Sequence, residues 1–173
     1  MNTNNSSETA KRDSWKTIEM PGSRTCLQFR RTFTQEEYDR MSFGLIPHEM
    51  EDKWFIFMEG DRLYFHRSWT GHCIYQVQLQ NDGGNYSVTE ALVNRDGSQY
   101  KSTDDAYDTA LLSFLIDNFL LGRQAPFPMP SNLAKDVPKG IFQHSIAGTA
   151  YPEQPITAKQ SWIDKLKHRL TDR

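Results

Sequence analysis

Residues 53–95, KWFIFMEGDRLYFHRSWTGHCIYQVQLQNDGGNYSVTEALVNR, decide the fold. Three or four strand-like runs are separated there by turn signals at Gly60-Asp61, Thr70-Gly71 and Asn81-Asp82-Gly83-Gly84, and an antiparallel meander is the simplest arrangement of them. Trp54–Met58 is apolar at both parities, as a strand covered on two faces requires. Residues 62–69 (RLYFHRSW) and 72–79 (HCIYQVQL) alternate more strongly and suit strands with one buried face. In the second run Cys73, Tyr75, Val77 and Leu79 are expected to point inward, with Gln76, Gln78 and Gln80 outward. Residues 85–93 form a weaker strand that ends before Asp96-Gly97.

Working outward, Thr25–Thr34 alternates Cys26, Gln28 and Arg30 against Leu27 and Phe29 and reads as a first strand. Thr34 then opens a short helix, because Glu37 follows at the capping-box spacing and Tyr38 and Met41 share a face; Gly44 and Pro47 stop it. Residues 102–121 form the clearest helix. Ser102 or Thr103 is the expected N-cap, Asp104 and Asp105 occupy the first turn, and Gly122 follows the end. Ala110, Leu111, Phe114, Leu115 and Phe119 recur at spacings of three and four and turn this helix toward the sheet. The fold class is therefore α+β: a mostly antiparallel sheet of about five strands, one main helix packed on one face, and an extended proline-rich C-terminal arm.

The chain has 173 residues, enough for one core. Hydrophobic residues at 37% are few for a compact domain, whereas aromatics at 12% are many, so the core is aromatic and the polar residues sit in tails. Residues 1–14 read as a disordered tail, 15–122 as a single α+β domain, 123–158 as a proline-rich arm packed on that domain, and 159–173 as an amphipathic C-terminal helix. Six of the eight prolines lie in the arm. In the last segment Trp162, Ile163, Leu166 and Leu170 oppose Lys165, Lys167 and Arg169. The net charge of -2 implies no global attraction to nucleic acid or to an anionic membrane. It is a cancellation: residues 123–173 carry 8 Lys and Arg against 4 Asp and Glu, which makes that part basic and the rest acidic.

Cys26 and Cys73 are far apart and belong to no paired-ligand spacing, which disfavours a disulfide scaffold and a structural zinc. Neither a secretory h-region nor a membrane span is visible, and the expected location is the cytoplasm. No cofactor is expected. Phosphate-binding loops, nucleophile elbows, zincin helices and kinase motifs are not present.

The side chains capable of chemistry concentrate between Glu49 and Tyr75. Along the strand, Tyr64, His66 and Ser68 share one face and Leu63, Phe65, Arg67 and Trp69 the other. Leu63 and Phe65 mark theirs as the buried face, so Arg67 must be paired there, with Glu59 or Glu90 as the structural partner or an anionic ligand as the functional one. A planar guanidinium suits phosphate and an indole suits stacking on a base. The spacing of His66 and His72 matches no metal pair, and Cys73 reads as a small buried hydrophobe. Glu49, Glu51 and Asp52 form either a solvated loop or an acid–base cluster. In the arm, residues 140–144 and 148–152 interleave aromatics with glycines. The arm either docks through Phe142 and Tyr151 or brings Gln143 and His144 to the site.

The strings Trp54-Phe55-Ile56, Leu63 to Gly71 (LYFHRSWTG) and Cys73-Ile74-Tyr75 resemble a small bacterial module associated with ADP-ribosylglycohydrolase and macro-domain proteins. The resemblance covers a minority of the chain. The acidic catalytic clusters of those enzymes have no counterpart, so it implies only a connection to NAD or ADP-ribose biology.

Three readings follow. In the first, the chain is a nucleotide-binding module: Arg67 holds phosphate, Trp69 or Trp54 stacks on a base, and His66, Ser68, Thr70 and His144 complete the site. In the second it binds a protein partner through its C-terminal helix. In the third it is a small enzyme in which His66 or His144 acts as acid–base and Arg67 stabilises negative charge.

Overall fold

The meander forms as the turn signals require. A computed structural model describes residues 8–49, 51–129 and 146–147 of the chain. In chain order its elements are β1 (Arg24–Cys26), β2 (Thr32–Thr34), α1 (Gln35–Ser42), β3 (Trp54–Glu59), β4 (Arg62–Arg67), β5 (Cys73–Asp82), β6 (Asn85–Asn94) and α2 (Asp105–Leu115). A π-helical turn, Ile116–Leu120, continues α2. The sheet has the order β1-β6-β5-β4-β3, antiparallel throughout, with β2 also paired to β6. The single first strand expected over Thr25–Thr34 is thus two short strands on one neighbour. Leu27 and Phe29, between them, are buried as the alternation predicts.

Register assigns the two faces. Trp54 lies opposite Arg67 and Ile56 opposite Phe65, while Phe55 pairs with His66 and Phe57 with Tyr64. The first set joins Tyr75, Val77 and Val93 in the main core, which α2 covers with Leu111, Leu112, Phe114 and Leu115. Ala110, expected among them, is exposed. The N-cap of α2 is Asp104, whose carboxylate accepts the Tyr107 amide at 3.1 Å, rather than Ser102 or Thr103. Ser102 is already committed, its hydroxyl donating to Asp108. At the other end the wide turn is held by buried Asn118, which donates to the Phe114 carbonyl and accepts from the Ala125 amide. The capping box of α1 is as expected, Thr34 accepting from the Glu37 amide and Glu37 from that of Thr34.

One inward-facing assignment is corrected by a β-bulge. Phe65 lies opposite Tyr75, but His66 lies opposite Cys73, so Ile74 is the extra residue and the alternation slips there. Cys73 therefore shares the face of His66 and Gln76, whose amide approaches its sulfur, and not that of Tyr75. Gln76 points away from the main core as expected, yet it is buried there beneath Arg62.

The second face is covered by a part of the chain that composition marks as disordered. From Glu8 onward the N-terminal segment is ordered and runs across Phe55, Phe57 and Tyr64, with Ala10 buried among them. Arg12 stacks over the rings of Phe57 and Tyr64 and binds Glu59 through two nitrogens. The Ala10 amide donates to Phe43 and the Ile18 amide to Gly71, fixing both ends of this strap. Among the described residues no helix is long and apolar enough to cross a membrane. His144, most of the 123–158 arm and the whole 159–173 segment lie outside the described residues.

Candidate functional site

Trp54 and Arg67 meet because the Gly60-Asp61 turn has two residues. It sets Glu59 opposite Arg62 and, at the far end of the hairpin, Trp54 opposite Arg67. Their side chains point to the helix-covered face, where the Arg67 guanidinium lies 5.0 Å from the centre of the Trp54 ring. Trp54 Nε1 and Arg67 Nη1 converge on one acceptor, the carbonyl oxygen of Ile146, at 2.8 and 2.9 Å. Around this point opens a concavity of about 420 Å³, walled by Gln99 to Asp104 of the β6–α2 loop, by Tyr107 and Leu111 of α2, and by Ile146.

Neither expected carboxylate partner serves Arg67: Glu59 is bound by Arg12 and Glu90 by Arg62. Burial lowers the affinity of the Arg67 guanidinium for its proton, and the nearby Tyr100, Tyr75 and Tyr107 raise it. Arginine starts so far above neutrality that it stays charged. Behind the wall, Asp108 is fully buried and receives Tyr75 and Tyr100 hydroxyls at 2.6 Å on one oxygen, with Ser102 and Arg95 on the other. Burial, ahead of the Asp108 charge, pushes the Tyr100 phenol well up, so it remains a hydroxyl donor. This network fixes the loop that carries Tyr100, Lys101 and Ser102.

The remaining expected residues do not converge here. His66, next to Arg67 in β4, points to the opposite face and is 1% exposed. That separation removes the arrangement in which His66 and Arg67 act on one substrate. Ser68 is buried, its hydroxyl donating to the Asp52 carbonyl. Trp69, expected on the buried face, is 56% exposed, and the Lys53 ammonium lies 4.2 Å from its ring centre. Ser68 and Trp69 line another concavity with Trp15, Lys16, His48 and Glu49. Thr70 is exposed in the turn, accepting the His72 amide. Trp54 is 1% exposed with one face under Arg67 and Tyr75 stacked near it, which leaves it no face for a base. Asp52 ties its loop by accepting the His48 and Glu49 amides. Among the described residues no three His, Cys, Asp or Glu side chains are grouped to hold a metal.

Sequence reasoning passed over Tyr100, Lys101, Tyr107 and Trp15. A signal for Tyr107 existed: it stands three residues after a capping aspartate, on the face of α2 that continues through Leu111. The loop residues carry no comparable mark. Compared with protein-family models, with curated proteins and with solved structures, the chain matches none.

Proposed function

We propose that the protein binds a small anionic, hydroxyl-bearing molecule of the nucleotide class, ADP-ribose being the type the sequence resemblance implies, in the concavity headed by Arg67. The observation that carries this reading is the convergence of Trp54 Nε1 and Arg67 Nη1 on a single oxygen at the concavity's base. Two donors aimed at one point suit an oxygen ligand, which takes the place that the Ile146 carbonyl fills and must displace it. Arg67 and the exposed Lys101 supply the positive charge for a phosphate. Asp104, an acceptor beside them, suits a ribose hydroxyl, and the Tyr100 and Tyr107 rings supply the apolar wall that a base or sugar packs against. The volume falls in the usual range for small-molecule sites, roughly 300–1,000 Å³.

Calorimetry with ADP-ribose, NAD and ADP tests the reading on wild type, Lys101→Glu and Arg67→Ala. The expected result is binding by wild type, at least tenfold weaker in Lys101→Glu and lost in Arg67→Ala. No heat with any of the three nucleotides, or equal affinities in wild type and Lys101→Glu, overturns it.

A further inference from the structure

We infer that the N-terminal strap, residues 8–20, is released from the sheet by acid through protonation of His66. His66 is enclosed on the second face with its Nδ1 2.8 Å from the Gly71 carbonyl oxygen. Since that oxygen only accepts, Nδ1 carries the proton, and Nε2 is left buried without a hydrogen-bond partner among the described residues. The surroundings are the Phe55 and Phe57 rings, with centroids 6.3 and 5.6 Å from that of the imidazole. A proton on Nε2 therefore places a buried cation, with no hydrogen-bond acceptor among the described residues, against the stacked ring of Phe57 and the tilted ring of Phe55. The same Gly71 oxygen accepts the Ile18 amide of the strap at 2.8 Å, so one carbonyl joins the histidine to the segment that covers it.

The charged and titratable groups around His66 and the strap are Arg12, with its partner Glu59, and Glu19 from the strap, Tyr64 on β4, His72, which bridges Ile18 of the strap, and Cys73 on β5. Arg12 opposes a second positive charge and Glu19 favours one; burial outweighs both and holds His66 below its ordinary value. Glu59 is held below the usual carboxylate range by Arg12, so the Arg12–Glu59 pair survives the first fall in pH and the histidine responds before it. With the folded value depressed, the contribution to closure is fully present above the unfolded value of about 6.5 and is lost as pH falls from there toward the folded value. The opened state takes up one proton. Between pH 7.5 and 5.0 the strap's opening constant then rises by as much as roughly 30-fold.

The test is amide hydrogen exchange on the full chain at pH 5.0, 6.0 and 7.5, corrected for intrinsic rates and read at Ala10 and Ile18 for the strap and along β5 for the body. The inference expects strap opening to increase at least tenfold over this range while β5 protection is unchanged, and His66→Gln, which keeps a donor for Gly71, to abolish the pH dependence. Strap opening that is flat with pH, that keeps its slope in His66→Gln, or that rises in step with β5 overturns it. Should His66→Gln not fold, imidazole NMR of the wild type decides. A His66 that titrates near 6.5 while the Ala10 and Ile18 amides stay protected overturns the inference, and one that stays neutral until those amides open upholds it.

Discussion

Asp108 is wholly covered by protein, which also supplies its hydrogen bonds. Three hydroxyls and one guanidinium take the place of its hydration shell. Removing such a carboxylate leaves the Tyr75 and Tyr100 hydroxyls only each other as partners and takes from Arg95 one of the two carboxylates it binds, and breaking a buried pair costs several kcal/mol. Asp108→Ala is expected to lose about 3–5 kcal/mol in denaturant unfolding, and Asp108→Asn less because its carbonyl still accepts. The thiols offer a second contrast at the same scale. Cys26 is exposed, whereas burial pushes the Cys73 thiol up to about 12. At pH 8 Cys73 is then protonated as well as covered, and reactivity follows the thiolate. A disulfide reagent is expected to modify one thiol per native chain rapidly and the second only after denaturant is added; two fast equivalents would contradict this.

Among the elements, the junction of α1 with β3 depends on one glycine. Gly44 has φ +66°, and a Cβ built there would collide with the carbonyl oxygen of Ile56 and the methyl of Ala10. That close approach lets Leu45 exchange backbone hydrogen bonds with Ile56, covering the edge of β3. Gly44→Ala is expected to cost roughly 2 kcal/mol or more, combining left-handed strain with displacement of the strap, visible as a lower unfolding midpoint at unchanged slope. Thr34→Ala removes only a cap and is expected to cost about 1 kcal/mol by the same measurement. The cap was legible because Thr34 and Glu37 act within one turn of chain. The strands were legible for a related reason, since each is a local run, apolar from Trp54 to Met58 in β3 and closer to alternating in β4, bounded by turn residues. The bulge at Ile74 was not, because it is a property of how β4 meets β5 rather than of either strand's pattern. The strap was hidden by its composition: Ala10 and Arg12 do the covering, and one is small and the other charged. Of the expected site, Trp54 opposite Arg67 was recoverable from the turn length. The divergence of His66 and Trp69 depends on what covers each face.

Across the whole molecule, an acidic body meets a basic C-terminal third: Arg123, at its start, pairs with Glu37 and Asp117, whereas the described contact of residues 146–147 is not an ion pair. It is the Ile146 carbonyl taking two donors, with Ala147 buried in the main core. Charge asymmetry can draw the segment in, but hydrogen bonds and apolar packing hold it, so the contact should be little affected by salt. Ending the chain after Met129 tests this. Trp54 Nε1 is then buried without the acceptor it has in the full chain, at a cost of about 1–3 kcal/mol, before lost contacts of Ile146 and Ala147 are counted. The truncated protein is expected to unfold at lower denaturant than the full chain by an amount that stays constant between 0.05 and 1 M sodium chloride. A difference that disappears at high salt would show instead that ionic attraction holds the segment. The truncation also probes the site, since Ile146 is part of its wall. Nucleotide affinity should fall if that wall contributes to binding and should rise if the Ile146 carbonyl occupies the position of a ligand oxygen. Calorimetry on the two chains separates these outcomes.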